Sequence, residues 1–121
     1  MKIEIEGTPA HLAAIKAALE MYFRVALGQF DAIRVEHEDR LYKNYEAPGR
    51  DGNWPDYPLL LNRAIKPILQ PDLADSPNAS YSIGNPLTGK RAQCCYEVWK
   101  LLRGEKPVKY SGEPLPDVWV S

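Results

Sequence analysis

Leu12, Ile15, Leu19, Tyr22, Phe23, Ala26, Phe30 and Ile33 recur at steps of three and four. That spacing places them on one face of a helix, and it constrains the fold more than any other feature of the chain. Thr8-Pro9 opens the stretch as an N-cap followed by proline at the first helical position, where a missing N–H costs nothing. The stripe passes through Gly28 without a change of phase, so the spacing predicts one long helix from about Pro9 to near Arg40. Glycine in that interior costs roughly 1 kcal/mol against alanine. Close approach of another helix would offset the cost, or a small kink would form. The closing stretch, RVEHEDR, is charged and reads as solvated.

Lys2–Glu6 alternates charged residues with Ile3 and Ile5, the pattern of a short half-buried strand, and Gly7 ends it. Residues 43–58 (KNYEAPGRDGNWPDYP) and 70–86 read as loops by composition. Between them Leu60, Ala64, Ile65 and Ile68 suit a short helix that ends near Lys66 or kinks there, because Pro67 removes a hydrogen bond and clashes with the preceding turn. A further helix starts at Leu87 or Lys90 and runs to Arg103, with Ala92, Cys95, Tyr96, Trp99 and Leu102 on one face. Cys94, Val98 and Leu101 widen that face, which marks a central helix. Gly104 and Pro107 stop it. VKYS and DVWVS read as strands, one of them pairing with Lys2–Glu6. The expected fold is a single α+β domain over residues 1–121, mostly α, with a long N-terminal helix, one or two shorter helices and a small sheet from the terminal strands. The long helix offers a face for self-association, so a homodimer is expected.

The chain carries a net charge of −1. That balance argues against a duplex-DNA binder, whose affinity comes largely from basic phosphate contacts, and against an acidic DNA mimic. Cys94 and Cys95 are adjacent, a spacing that suits neither a metal framework nor a disulfide scaffold, so a reduced cytoplasmic setting is expected. No apolar run resembles a secretory signal or is long enough to cross a membrane. His11 and His37 have no second ligand at metal spacing, and Asp51-Gly52-Asn53 lacks the rest of a calcium loop. No metal or cofactor is expected. Cys94 and Cys95 fall on apolar helix faces, where a small buried hydrophobe is the usual role. No Ser/His/Asp set or G-x-S-x-G is present, so enzymatic activity is not expected.

Gly84-Asn-Pro-Leu-Thr-Gly89-Lys90 has P-loop spacing, with Arg91 where Ser or Thr belongs. A working P-loop needs a buried strand feeding it, amides that wrap the phosphates, a lysine and a hydroxyl on magnesium. SYSI is too short a feeder, Pro86 removes an amide and Arg91 removes the hydroxyl. Asn85-Pro86 reads instead as an N-cap with proline at the first helical position, and Thr88-Gly89 is a second possible start. Either way Lys90 and Arg91 fall near a first helical turn, where cations oppose the helix dipole and a bound anion would relieve them. Residues 89–109 hold six basic and two acidic residues. That segment is a solvated basic face or a surface for an anion or acidic partner. The loop aromatics Trp54, Tyr57 and Tyr81 either plug the core edge or stack on a base or peptide.

In YFRVALGQFDAI (22–33) and SYSI…CYEVWKLLR (80–103) the chain resembles a loose group of small phage and prophage proteins. In that group a helix with a Gly-Gln-Phe step precedes a Ser-Tyr-x-Ile turn and a final Tyr/Trp-bearing helix ending in Arg. Ser82 stands where glycine is expected, and Gly89-Lys90 is not assigned to the group. The resemblance implies a viral accessory protein in the host cytoplasm that acts on host defence. Joined to the residue reading, it gives three expectations. The first is a non-enzymatic protein that sequesters a phosphate-bearing small ligand, such as a nucleotide immune signal. Asn85, Gly89, Lys90 and Arg91 would hold phosphate, Arg103 would add charge, and Tyr81 or Trp54 would stack on a base. The second is an inhibitor of a host defence protein, in the manner of anti-CRISPR proteins, acting through the basic 89–109 face. The third is a nucleotide-processing enzyme.

Overall fold

The structure is a computed structural model that describes residues 1–37, 40, 57–76 and 78–120. It groups into two compact units, one made of Met1–Leu27 with Tyr81–Ser121 and the other of Gly28–Ser80.

The first unit is a helix pair. Helix α1 spans Pro9–Leu27. Its start is capped reciprocally: the Thr8 N–H donates to His11 Nδ1 (2.9 Å) and the His11 N–H donates to Thr8 Oγ1 (3.4 Å). This is a capping box with histidine in the place of glutamate. The partner of α1 is the helix Lys90–Leu102, numbered α4 below. Phe23, Leu27, Ala92 and Trp99 are buried between them, with Leu19, Ala26, Tyr81, Ile83, Cys95 and Tyr96 packed around. The Phe23 ring meets Tyr96 edge-on at 5.2 Å and Trp99 at 5.0 Å. Spacings of three and four on both helices put these side chains in one seam. Gly104, at φ +74°, lets the chain leave α4, with the Glu105 N–H bonded to Lys100 O at 3.0 Å. Glycine tolerates that left-handed conformation at no steric cost.

The second unit holds α2 (Asp31–Glu36), α3 (Tyr57–Leu69), which packs on α2, and a 3₁₀ turn at Pro71–Leu73. Pro67 lies inside α3, and the helix continues past it to Leu69 rather than ending near Lys66. Lys66 itself is buried. Its ammonium donates to Ala79 O (2.5 Å) and Ser76 O (3.3 Å), which holds the segment after α3 against the helix. Burial pushes the Lys66 pKa down.

Two expectations are corrected. The first concerns the single helix to Arg40. α1 ends at Leu27 because Gly28 takes φ +87°, and α2 starts afresh at Asp31. An in-phase apolar stripe cannot reveal one residue in the left-handed region. The second concerns the sheet. No residue among those described is in a strand, so the fold is helical and the α+β assignment fails. Ile3 and Ile5 are 71% and 68% exposed, so among the described residues the alternating face that would have been a strand's buried side stays uncovered. Around Val108–Ser111 the amides of Tyr110 and Ser111 point to the side chain of Glu97 instead of a neighbouring strand. Trp119, in the other expected strand, is 91% exposed.

Candidate functional site

The segment from Tyr81 to Arg91 is built by short-range hydrogen bonds. The Tyr81 N–H donates to Leu27 O (2.9 Å), and Tyr81 lies half-buried at the edge of the core. Asn85 caps a 3₁₀ turn at Pro86–Thr88, its Oδ1 accepting from the Leu87 N–H at 2.8 Å. The Thr88 N–H is taken by Asn85 O (3.0 Å), and the buried Thr88 hydroxyl donates to Ser82 O (2.7 Å). Gln93, buried on α4, donates to Ile83 O (3.1 Å). The letters of the P-loop therefore spell a self-stitched turn. Its Leu87 and Thr88 amides are spent internally, and Thr88 is turned inward.

What remains open is the first turn of α4. Gly89 is its N-cap at φ 92°, ψ 148°, a conformation nearly restricted to glycine. No side chain among the described residues caps the helix, and its first turn holds no acidic residue. A Cβ built on Gly89 would meet nothing within 4 Å. Lys90 and Arg91, the first two residues of the helix, are both exposed. Lys90 pairs with Glu113, from the chain that returns past α4. The hydrogen bond from Lys90 and its charge lower the Glu113 pKa, and the same contact raises that of Lys90. A carboxylate of the same chain thus already pairs with one of the two cations.

The other candidates lie elsewhere. Arg103, the residue that follows α4, is thirteen residues from Lys90, which at about 1.5 Å per residue is roughly 20 Å. Its guanidinium stacks 4.3 Å over Trp99, and its Nε lies 3.7 Å from Glu105. Tyr81 belongs to the core edge, and Asn85 spends its side-chain oxygen on the cap. Trp54 lies outside the described residues. Gly89, Lys90 and Arg91 are the expected site residues that the fold keeps together at an open surface.

Burial, and then the neighbouring Cys94, raise the Cys95 pKa, so at neutral pH Cys95 is a thiol rather than a nucleophilic thiolate. No group of three or more His, Cys, Asp or Glu among the described residues is placed to hold a metal. No helix among them is long and apolar enough to cross a membrane.

Two residues escaped the sequence reading. Glu113 carried no local signal, because it reaches Lys90 only through the fold. Glu97 is 2% exposed. It accepts the Tyr110 N–H (2.5 Å), the Ser111 N–H (2.9 Å) and the Ser111 hydroxyl (3.0 Å), and so straps the return segment to α4. A glutamate between Tyr96 and Val98 reads as solvated from periodicity alone. Comparison with protein-family models, curated proteins and solved structures finds no match.

Proposed function

We propose that the protein is a phage-type accessory protein that binds and sequesters a phosphate-bearing small ligand, such as a nucleotide immune signal, at the start of α4. One observation carries this reading: α4 begins on an open glycine, with no capping side chain and no first-turn acid, and with two exposed cations. A helix start favours negative charge, so cations there are unfavourable unless an anion is bound. Glu113 supplies a carboxylate to Lys90, and a phosphate would displace it. The phosphate-holding group is Gly89, Lys90 and Arg91, with Asn85 shaping the turn before them. Arg103 is too distant to share a small ligand with Lys90.

Native mass spectrometry or thermal shift against a panel of linear and cyclic nucleotides tests the reading. Binding is expected, with loss on Lys90→Ala/Arg91→Ala and tightening on Glu113→Gln. A panel that gives no shift refutes it.

A second reading, docking of a host defence protein on the 89–109 face, is favoured by a different observation. Arg91, Lys106 and Lys109 are exposed and enter none of the ion pairs among the described residues, and Tyr110 beside them is 43% exposed. Capture of a host protein that is lost on charge reversal at Lys106 and Lys109, with no response to nucleotides, would select it. Turnover of a panel nucleotide would select an enzyme instead.

A further inference from the structure

The N-terminal segment has the makings of a contact surface that the fold does not use. Among the described residues, the backbone of residues 1–7 enters no hydrogen bond, and the first bond in the chain is made by the Thr8 N–H. Every residue from Met1 to Gly7 is exposed. Met1, Ile3 and Ile5 alternate with Lys2, Glu4 and Glu6, so in an extended chain the apolar residues share one face and the charged residues the other. Lys2 and Glu4 already form an ion pair at 2.7 Å, as two residues on one face would. Unpaired backbone beside exposed β-branched side chains is a template for another strand.

The charges choose the partner. We propose that residues 1–5 pair antiparallel with the same residues of a second copy of this chain, in the register that sets Ile3 against Ile3. That register also sets Lys2 against Glu4 of the second copy, twice by symmetry, and Met1 against Ile5, twice. All five cross-strand pairs then match in character, and opposite charges directly across a strand pair are favourable. Centring the pair on Glu4 instead brings two glutamates together. Slipping by one residue sets isoleucine against glutamate and turns the apolar residues to opposite faces. The two-fold axis through Ile3 gives an isologous contact, the geometry of a closed dimer. A ribbon of two short strands is only marginally stable, so the dimer is weak and depends on concentration.

Sedimentation equilibrium between about 10 µM and 1 mM, a range suited to weak association, measures it on the full chain. The parent mass should rise from 13.7 kDa toward twice that value. Lys2→Glu and Glu4→Lys, each alone, should raise the dissociation constant about tenfold or more, since each turns two attractive pairs into repulsive ones. The double variant Lys2→Glu/Glu4→Lys should restore dimerisation. Ile3→Cys should cross-link to itself through residue 3 on oxidation, while Glu4→Cys, offset from its own copy, should not. All four substitutions lie outside the helix core, so circular dichroism should be unchanged. A parent that stays monomeric to 1 mM overturns the proposal. So does a dimer indifferent to the single reversals, or a double variant that stays apart.

Discussion

Replacing Gly28 by alanine separates two descriptions of the chain by the sign of one number. If residues 9–40 were a continuous helix, Gly28→Ala would stabilise it by about 1 kcal/mol, the ordinary difference in helix propensity. In the structure Gly28 sits at φ +87°. A side chain in the left-handed region costs about 1–2 kcal/mol. The added methyl would stand 3.4 Å from Lys66 Cε and 3.7 Å from Gln70 Oε1 and Leu73 Cδ1, close to ordinary contact, so the backbone dominates. The expected result is a loss of about 1–2 kcal/mol. At roughly 4 °C per kcal/mol for a chain of this size, the melting temperature falls by about 4–8 °C. Thermal unfolding followed by circular dichroism reads it directly. Gly104→Ala is the control, since Gly104 has φ +74° and nothing within 4 Å of a new Cβ, which isolates the backbone cost. A melting temperature that holds or rises in Gly28→Ala refutes the break between α1 and α2.

Other consequences are as direct. Glu97→Ala removes the acceptor of two amides and a hydroxyl. At about 1.5–3 kcal/mol for each bond to a charged group, and with the freed donors rehydrated, the net loss should be about 2–4 kcal/mol. Hydrogen exchange should show faster loss of protection at the Tyr110 and Ser111 amides than in the parent. The Glu113 carboxyl is depressed by Lys90, so its pairing is complete above the unfolded value of 4.5 and is lost as pH falls through the lower folded value. A carbon-detected NMR titration should place Glu113 below 4.5, and Lys90→Ala should move it upward. Lys66 behaves oppositely: burial lowers its folded pKa, so the unfolded chain binds more protons between that value and 10.5, and its contribution to stability grows with pH there. Urea unfolding at pH 8 and pH 10 should show a gain for the parent relative to Lys66→Met.

The parts of the fold that one helix's periodicity encodes could be read from the residues. Ala92, Cys95, Tyr96 and Trp99 lie on the inner side of α4 as spaced, and Gly104 ends that helix. The Asn85-Pro86 cap was also visible, because a cap is a contact two residues long. Alternation at Lys2–Glu6 and at the C-terminal end misled for a physical reason: it records which residues could share a face, not whether another strand arrives to cover them. The site divided along the same line. Gly89, Lys90 and Arg91 are neighbours in sequence and stayed together. Arg103 and Tyr81 depended on distances that only the folded chain sets.

The hydrogen bond from the Tyr81 amide to the Leu27 carbonyl has a topological consequence. It brings the two ends of the intervening residues 28–80 together, so to the α1/α4 pair that whole stretch is one closed excursion. Closure entropy grows only with the logarithm of length, about 0.6 kcal/mol for each doubling, so lengthening the excursion costs little. Evolution can therefore lengthen, trim or exchange that excursion while the helix pair keeps its seam.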